Sequence, residues 1–291
     1  MNGNWSWDQR DLTELLSLEK AADNTWRSYV CDTNANGRVY AGQLLGQALW
    51  AAAQTVEERS LTMLQMTFLQ GARPQESIEY SVETLQDGRR ISSRHIYGVQ
   101  GAGLVMSANA SFQAPAADSD DTYRLARQVP GPESLATLSE LAAGFPAQGE
   151  SLQLRARAKP LLDIRLINPA ACFDPAAGPG EVAYWMRLDQ PLPSEGCLHH
   201  AALAYMSDSW LSSNVSSREL LDAPWQHYVS NLNHSLWFHC LELDVTQWLL
   251  FVDDGVRSMS GRSLAMANIF RRDGRLVASV ARDLLISPRA T

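Results

Sequence analysis

From Val39 to Ala53 the chain runs Val-Tyr-Ala-Gly-Gln-Leu-Leu-Gly-Gln-Ala-Leu-Trp-Ala-Ala-Ala without one charged side chain. The pattern predicts a helix that opens on Ala41-Gly42-Gln43, and a helix with no charged face has to be enclosed by other elements. Its small residues (Ala41, Gly42, Gly46, Ala48, Ala51, Ala52, Ala53) let neighbouring backbones come close. The segments that follow can do the enclosing. Leu64 to Phe68 predicts a strand, and Ser77 to Leu85 sets Ile78, Tyr80 and Val82 against polar neighbours at period two. Asp87-Gly88 supplies a turn, after which Ile91 to Val99 and Gly103 to Phe112 predict two further strands joined through Gly101-Ala102-Gly103. The expected unit is an antiparallel sheet rolled around one helix.

The order recurs. His200 to Leu211 predicts a second helix, Ser235 to His239 a strand, and Trp248 to Asp253, Gly261 to Phe270 and Arg275 to Ile286 further strands, with Asp273-Gly274 as a hairpin turn. Leu276-Val-Ala-Ser-Val280 parallels Leu104-Val-Met-Ser-Ala108. Matched order and matched segments predict a duplication. Between the halves, Ala114 to Gly149 is rich in Pro, Ala, Asp and Ser, the composition of a linker, with room for a short helix over 134–143. The second half then begins with a strand near Leu152 to Arg157 or Leu161 to Ile167. The expected division is an N-terminal unit over 1–115, a linker over 116–149 and a C-terminal unit over 150–291, in the α+β class.

Composition agrees with two cores: 291 residues, 45% of them hydrophobic, fill two domains of ordinary size. No run approaches the roughly 18 consecutive apolar residues of a membrane span. The start, Met1-Asn2-Gly3-Asn4-Trp5-Ser6-Trp7-Asp8, lacks the basic-then-apolar pattern of a secretory signal, so a cytoplasmic protein is expected. Cys31, Cys172, Cys197 and Cys240 form no CxxC pair and no zinc-ligand spacing with histidine; reduced structural thiols and no metal are expected. A net charge of −8 argues against nucleic acid as partner. It leaves room for a small anionic ligand. Arg89, Arg90, Arg94, Arg257, Arg262, Arg271 and Arg272 fall in or beside predicted strands, where some could meet the phosphates of a nucleotide-bearing molecule and the rest would be solvated surface.

The segments Val39-Tyr-Ala-Gly-Gln-Leu-Leu-Gly-Gln-Ala-Leu, Ala110-Ser-Phe-Gln-Ala-Pro115, Ala204-Tyr-Met-Ser-Asp208 and Asn233-His-Ser-Leu-Trp-Phe-His239 together carry a resemblance over nearly the whole chain. It resembles the bacterial type II acyl-CoA thioesterases, a double hot-dog family with peroxisomal relatives. The resemblance implies two fused hot-dog units and hydrolysis of a fatty acyl-CoA to free acid and coenzyme A; further association into a homodimer is expected. Coenzyme A would be part of the substrate, with no separate cofactor. The family's catalytic group is an Asp on the second helix, a Thr or Ser shortly before the Asp-His-Ser-hydrophobic-Trp-Phe-His strand, and a Gln in the last strand. Asp208 matches the first. Asn231 falls on the second and Arg282 on the third, so two positions depart from the pattern, and Asn233 replaces the Asp of the strand motif.

The chemistry needs little. A thioester has a leaving group that is stable near neutral pH, so one positioned base for water and donors for the developing oxyanion suffice. Asp208 is the only acidic residue between Ala201 and Leu211, where a helix would aim it into a partly buried cleft. Asn231 can hold a water, since its amide both donates and accepts. Arg282 has two readings: a cation that weakens Asp208 as a base, or a set of donors for an oxyanion. The expected substrate contacts are Gly42, Gln43, Arg94 and Arg262. A Ser–His nucleophile is less well supported, because Ser207 stands in no Gly-x-Ser-x-Gly elbow. His234, Trp237 and Phe238 are expected to pack within their strand. The alternative to an enzyme is an acyl-thioester-binding protein of the same fold that has lost catalysis.

Overall fold

A computed structural model describes residues 7–34, 36–116, 123–145, 149–170, 182–194, 196–209 and 227–288. The chain divides into two compact units that differ from the sequential halves expected above. The first comprises Met1–Asp120 with Leu192–Ser209 and Asn231–Asp244; the second comprises Asp121–Pro191, Trp210–Ser230 and Val245–Thr291.

The first unit opens with α1 (Leu12–Leu16), capped by the Asp11 side chain, and a short hairpin of β1 (Glu19–Ala22) and β2 (Thr25–Arg27). The hairpin turns at Asn24, whose φ of 50° lies in the left-handed region that Asn tolerates. The helix α2 (Ala41–Ala53) follows, and every residue in it except Trp50 and Ala53 is buried, as its chargeless sequence requires. The strands β3 (Ser60–Phe68), β4 (Glu79–Asp87), β5 (Ile91–Gln100) and β6 (Gly103–Gln113) come next. All pairings are antiparallel, in the order β1-β2-β4-β5-β6-β3. Leu64, Met66, Tyr80, Val82, Ile96, Ala108, Ala110 and Phe112 form the sheet's buried face. On the free side of β3 lies β9 (His227–Phe238), paired antiparallel from Met63↔Trp237 to Thr67↔Asn233.

The second helix of the repeat, α5 (Leu198–Met206), belongs to this same unit, and Ala201 to Met206 are buried. Two glycines of α2 explain the approach. A Cβ on Gly42 would lie 2.5 Å from the Tyr205 carbonyl oxygen, and one on Gly46 would lie 2.9 Å from that of Ala201. Only glycine leaves room for the α5 backbone at those points.

The second unit carries a sheet ordered β12-β11-β10-β8-β7, again antiparallel throughout. Its strands are β7 (Leu162–Leu166), β8 (Val182–Leu188), β10 (Leu249–Met259), β11 (Arg262–Arg271) and β12 (Leu276–Pro288). The hairpin between β11 and β12 turns at Gly274, with φ 84°. The expected linker is a strap as far as it is described. Leu125, Val129 and Leu135 pack on Ala183, Trp185, Leu250, Val252 and Phe270, and the Trp185 indole donates to the Pro130 carbonyl at 2.8 Å. Glu133 pairs with Arg272 at 2.6 and 2.9 Å, and Arg165 donates to the Leu135 carbonyl.

The strap continues into α3 (Leu138–Gly144), which opens on a capping box of Thr137 and Glu140, and then α4 (Gly149–Ala158). Leu152 to Arg157 is therefore helix and not strand; Gln, Arg, Leu and Ala are strong helix formers, and a period-two pattern over six residues is too short to outweigh them. Leu162–Leu166 is the strand expected as the other choice.

Candidate functional site

The expected helix over His200 to Leu211 ends as a helix at Met206, and the residues beyond 209 in it lie outside the described set. Ser207, Asp208 and Ser209 form a tight turn. The Ser207 N–H bonds to Leu203 O at 2.8 Å, the Ser209 N–H to Met206 O at 2.9 Å, and both serine hydroxyls fold back onto carbonyls of the last helical turn. Asp208 thus leaves the C-terminus of α5 instead of standing on the helix. It is nevertheless only 6% exposed.

Asn231 on β9 reaches it: the Asn231 Nδ2 donates to Asp208 Oδ1 at 3.0 Å. His234, wholly buried on the same strand, places Nδ1 3.9 Å from that oxygen and Nε2 3.0 Å from Ser207 Oγ. Four side chains from two segments distant in sequence therefore converge. The strand motif divides by face as period two demands: His234, Leu236 and Phe238 are buried, whereas Trp237, expected to pack with them, is 38% exposed on the other side. Asn233 also faces outward and accepts a hydrogen bond from Thr67 Oγ1 at 3.0 Å.

A second polar cluster lies behind α5. The Tyr205 hydroxyl donates to Asp32 Oδ2 at 2.8 Å, and the Tyr40 hydroxyl donates to the Tyr205 carbonyl at 3.2 Å. Burial, reinforced by the charges of Asp32 and then Asp208, pushes the Tyr205 hydroxyl pKa well above its usual value, so it stays a donor. Sequence reasoning missed Asp32. Its one legible trace was its place just upstream of the helix motif.

The expected substrate contacts are engaged elsewhere. Gln43 accepts from the Asp32 N–H at 2.8 Å and donates to Val30 O at 3.1 Å and Gln47 Oε1 at 3.2 Å, so both of its amide hydrogens are committed inside the protein. Gln47 in turn accepts from the Tyr80 hydroxyl at 2.8 Å. Gly42 lies against Tyr40 and the Tyr205 carbonyl, where it serves packing. Arg94, 3% exposed, donates to Thr55 Oγ1, Thr55 O, Gln86 O, Ser93 O and Asp87 Oδ1. The bond from Arg94, then that from Ser92, holds the Asp87 carboxyl below the usual carboxylate range.

Arg262 pairs with Asp283 across the β11–β12 ladder, and Arg272 holds the Glu133 carboxyl low. Arg89, Arg90 and Arg271 are exposed; the Arg257 side chain lies outside the described set. In the second unit Arg282 faces the buried side of β12 with Val280 and Leu284, opposite Ala265. It is not the solvent-facing arginine that a slipped register would give.

Among the described cysteines, Cys31, Cys197 and Cys240 form no disulfide. Desolvation pushes the Cys197 thiol up to about 12, which removes it as a nucleophile near neutral pH. Cys172 lies outside the described set. No helix among the described residues is long and apolar enough to cross a membrane.

Residues 32–113 match the family model for the acyl-CoA thioesterase N-terminal domain, and residues 132–286 match that for the acyl-CoA thioesterase C-terminal domain. The chain is 30% identical over 285 residues to acyl-CoA thioesterase 2 of Haemophilus influenzae, covering 95% of this chain and 96% of that protein. Among solved structures it is similar to the acyl-CoA thioesterase II TesB2 of Mycobacterium marinum, with a TM-score of 0.78 and 26% identity over 96% of this chain and 99% of that one. A hot-dog protein from Alicyclobacillus acidocaldarius, 19% identical, superposes with a TM-score of 0.73 over 96% of this chain and 98% of its own. The α+β double hot-dog class expected from the sequence is thus the class observed.

Proposed function

Because the chain belongs to the acyl-CoA thioesterase family, we propose that it hydrolyses a fatty acyl-CoA thioester to a free acid and coenzyme A, with Asp208 as the general base for water. The observation that carries the role of Asp208 is its setting: a carboxylate almost closed to solvent, held at one oxygen by the Asn231 amide at 3.0 Å. A carboxylate so fixed takes a proton from water as the water oxygen attacks the thioester carbonyl carbon. The carbonyl becomes a tetrahedral oxyanion, which collapses as the C–S bond breaks; the thiolate of coenzyme A leaves and takes up the proton held by Asp208, which restores the base. Asn231 does the orienting that a hydroxyl does in the family pattern.

We place the reaction in the cytoplasm, where thiols such as those of Cys31, Cys197 and Cys240 stay reduced. The test is Asp208→Asn, assayed with medium and long acyl-CoA substrates. Loss of the base should lower turnover on the order of 10²-fold or more. A folded variant that turns over like the parent removes Asp208 from this role. The second reading, a non-catalytic acyl-thioester-binding protein, draws on Asn231 and Arg282 at two positions where the family has Thr or Ser and Gln. A parent that binds acyl-CoA but releases no thiol over a broad panel of chain lengths would establish it.

A further inference from the structure

The turn that presents Asp208 is held by more than Asn231. Ser207 Oγ lies 2.8 Å from the Ala204 carbonyl oxygen and 3.0 Å from His234 Nε2. A carbonyl can only accept, and a hydroxyl has one hydrogen, so that hydrogen goes to Ala204 and the imidazole must be the donor to Ser207. His234 therefore carries a proton on Nε2 and turns Nδ1 toward Asp208 Oδ1, 3.9 Å away. The ring cannot swing out: His234 is wholly buried in the middle of β9, paired with Met66 of β3.

We propose that His234 is a positioning residue for Asp208, acting through Ser207 to lock the turn at 207–209 onto the end of α5. The inference rests on the reading of Asp208 as the base. Ser207, His234 and Asp208 are the residue types of a nucleophilic acyl-transfer triad, but the polarity is reversed. A nucleophilic serine gives its proton to the imidazole, whereas Ser207 receives a hydrogen bond from it and sends its own into the helix. The serine hydroxyl is the link between a rigid strand and the helix end, and the carboxylate next to it in sequence inherits that rigidity. A shift of about 1 Å at such a point can cost on the order of 10²-fold in rate without changing affinity.

The experiment compares Ser207→Ala, His234→Leu, His234→Gln and Asp208→Asn in the full chain, with kcat and KM measured separately and folding checked by thermal denaturation. Gln places an amide N–H near the position of Nε2 and keeps the bond to Ser207; Leu does not. Ser207→Ala and His234→Leu should lower kcat about 10- to 100-fold with KM little changed, and His234→Gln should recover most of that loss. Equal loss in the Gln and Leu variants, or parental kcat in Ser207→Ala, would overturn the positioning role while an inactive Asp208→Asn left the base assignment standing. Parental turnover in Asp208→Asn would end both. A pre-steady-state burst of thiol release that vanishes in Ser207→Ala would make Ser207 a nucleophile and refute the proposal. An independent readout needs no turnover: the imidazole nitrogen resonances of the parent should report the Nε2–H form of His234, and a ring protonated only on Nδ1 would also refute it.

Discussion

Replacing Gly42 by Ala should destabilise the protein, against what helix propensity alone would say. The new Cβ would meet the Tyr205 carbonyl oxygen at 2.5 Å and the Tyr40 ring at 2.8 Å or less, where ordinary contact is about 3.5 Å. The carbonyl is backbone of α5 and cannot turn aside. The Tyr40 ring could rotate, but only by giving up its hydroxyl bond to Tyr205 O, which contributes about 1 kcal/mol. Overpacking costs about 1–3 kcal/mol, and exchanging Gly for Ala in a helix returns under about 1 kcal/mol. The net loss is about 1–3 kcal/mol, or roughly 2–6 °C in Tm for a chain of this length. Differential scanning calorimetry on parent and variant measures it, with Gly144→Ala as the control because a Cβ there meets nothing within 4 Å. A Gly42→Ala variant that melts at or above the parental temperature would refute the argument that this glycine is kept for helix–helix approach.

Three further outcomes are expected. Arg94→Lys should lower stability by about 2–4 kcal/mol, since an ammonium cannot reproduce five donor contacts, while leaving KM for acyl-CoA unchanged; a raised KM in a variant of parental Tm would restore Arg94 as a phosphate ligand. Installing the family pair, Asn231→Thr with Arg282→Gln, should raise kcat above the parent, and a slower double variant would give Arg282 a direct part in binding substrate. Burial holds His199, His200 and His239 below their usual value of 6.5, partly offset at His199 by Asp244. The unfolded chain then takes up protons first, so stability is full above about pH 6.5 and falls as pH drops through the lower folded values. Tm should decline between about pH 7 and pH 5, and less steeply in His200→Gln; a flat profile would contradict the assignment.

The sequence was most legible where one environment governs a whole element. A helix buried on nearly every side, such as α2, has no place for charge, and strands β3 to β6 each keep one face on that helix and one away from it, so their alternation survives. The strand β8 was missed because its residues Val182 to Trp185 are all buried, the strap lying on Trp185 and Ala183, and an unbroken apolar run has no period to detect. Partners were the other blind spot. Arg94 and Gln43 have the right chemistry for a ligand, and nothing in their own identity says that Thr55, Asp87, Val30 and Asp32 already occupy them. The site was half legible: Asp208 and Asn231 could be matched to a pattern, but the stop of α5 at Met206, and hence the turn that aims the carboxylate, depends on bonds from Ser207 and Ser209 that only the folded chain displays.

The composition of the first unit has a consequence for the chain as it is made. Residues up to 120 cannot complete that unit, because α2 awaits α5 and the open side of β3 awaits β9, which ends at Phe238. At about 5–20 residues per second, the intervening 118 residues (120 to 238) take roughly 6–24 s to emerge. Until α5 has emerged a helix face of small residues lacks its partner, and until β9 has emerged the edge of β3 lacks its own. The glycines at 42 and 46, which suit α2 to its late-arriving neighbour, also thin the apolar side chain on the face that waits for it.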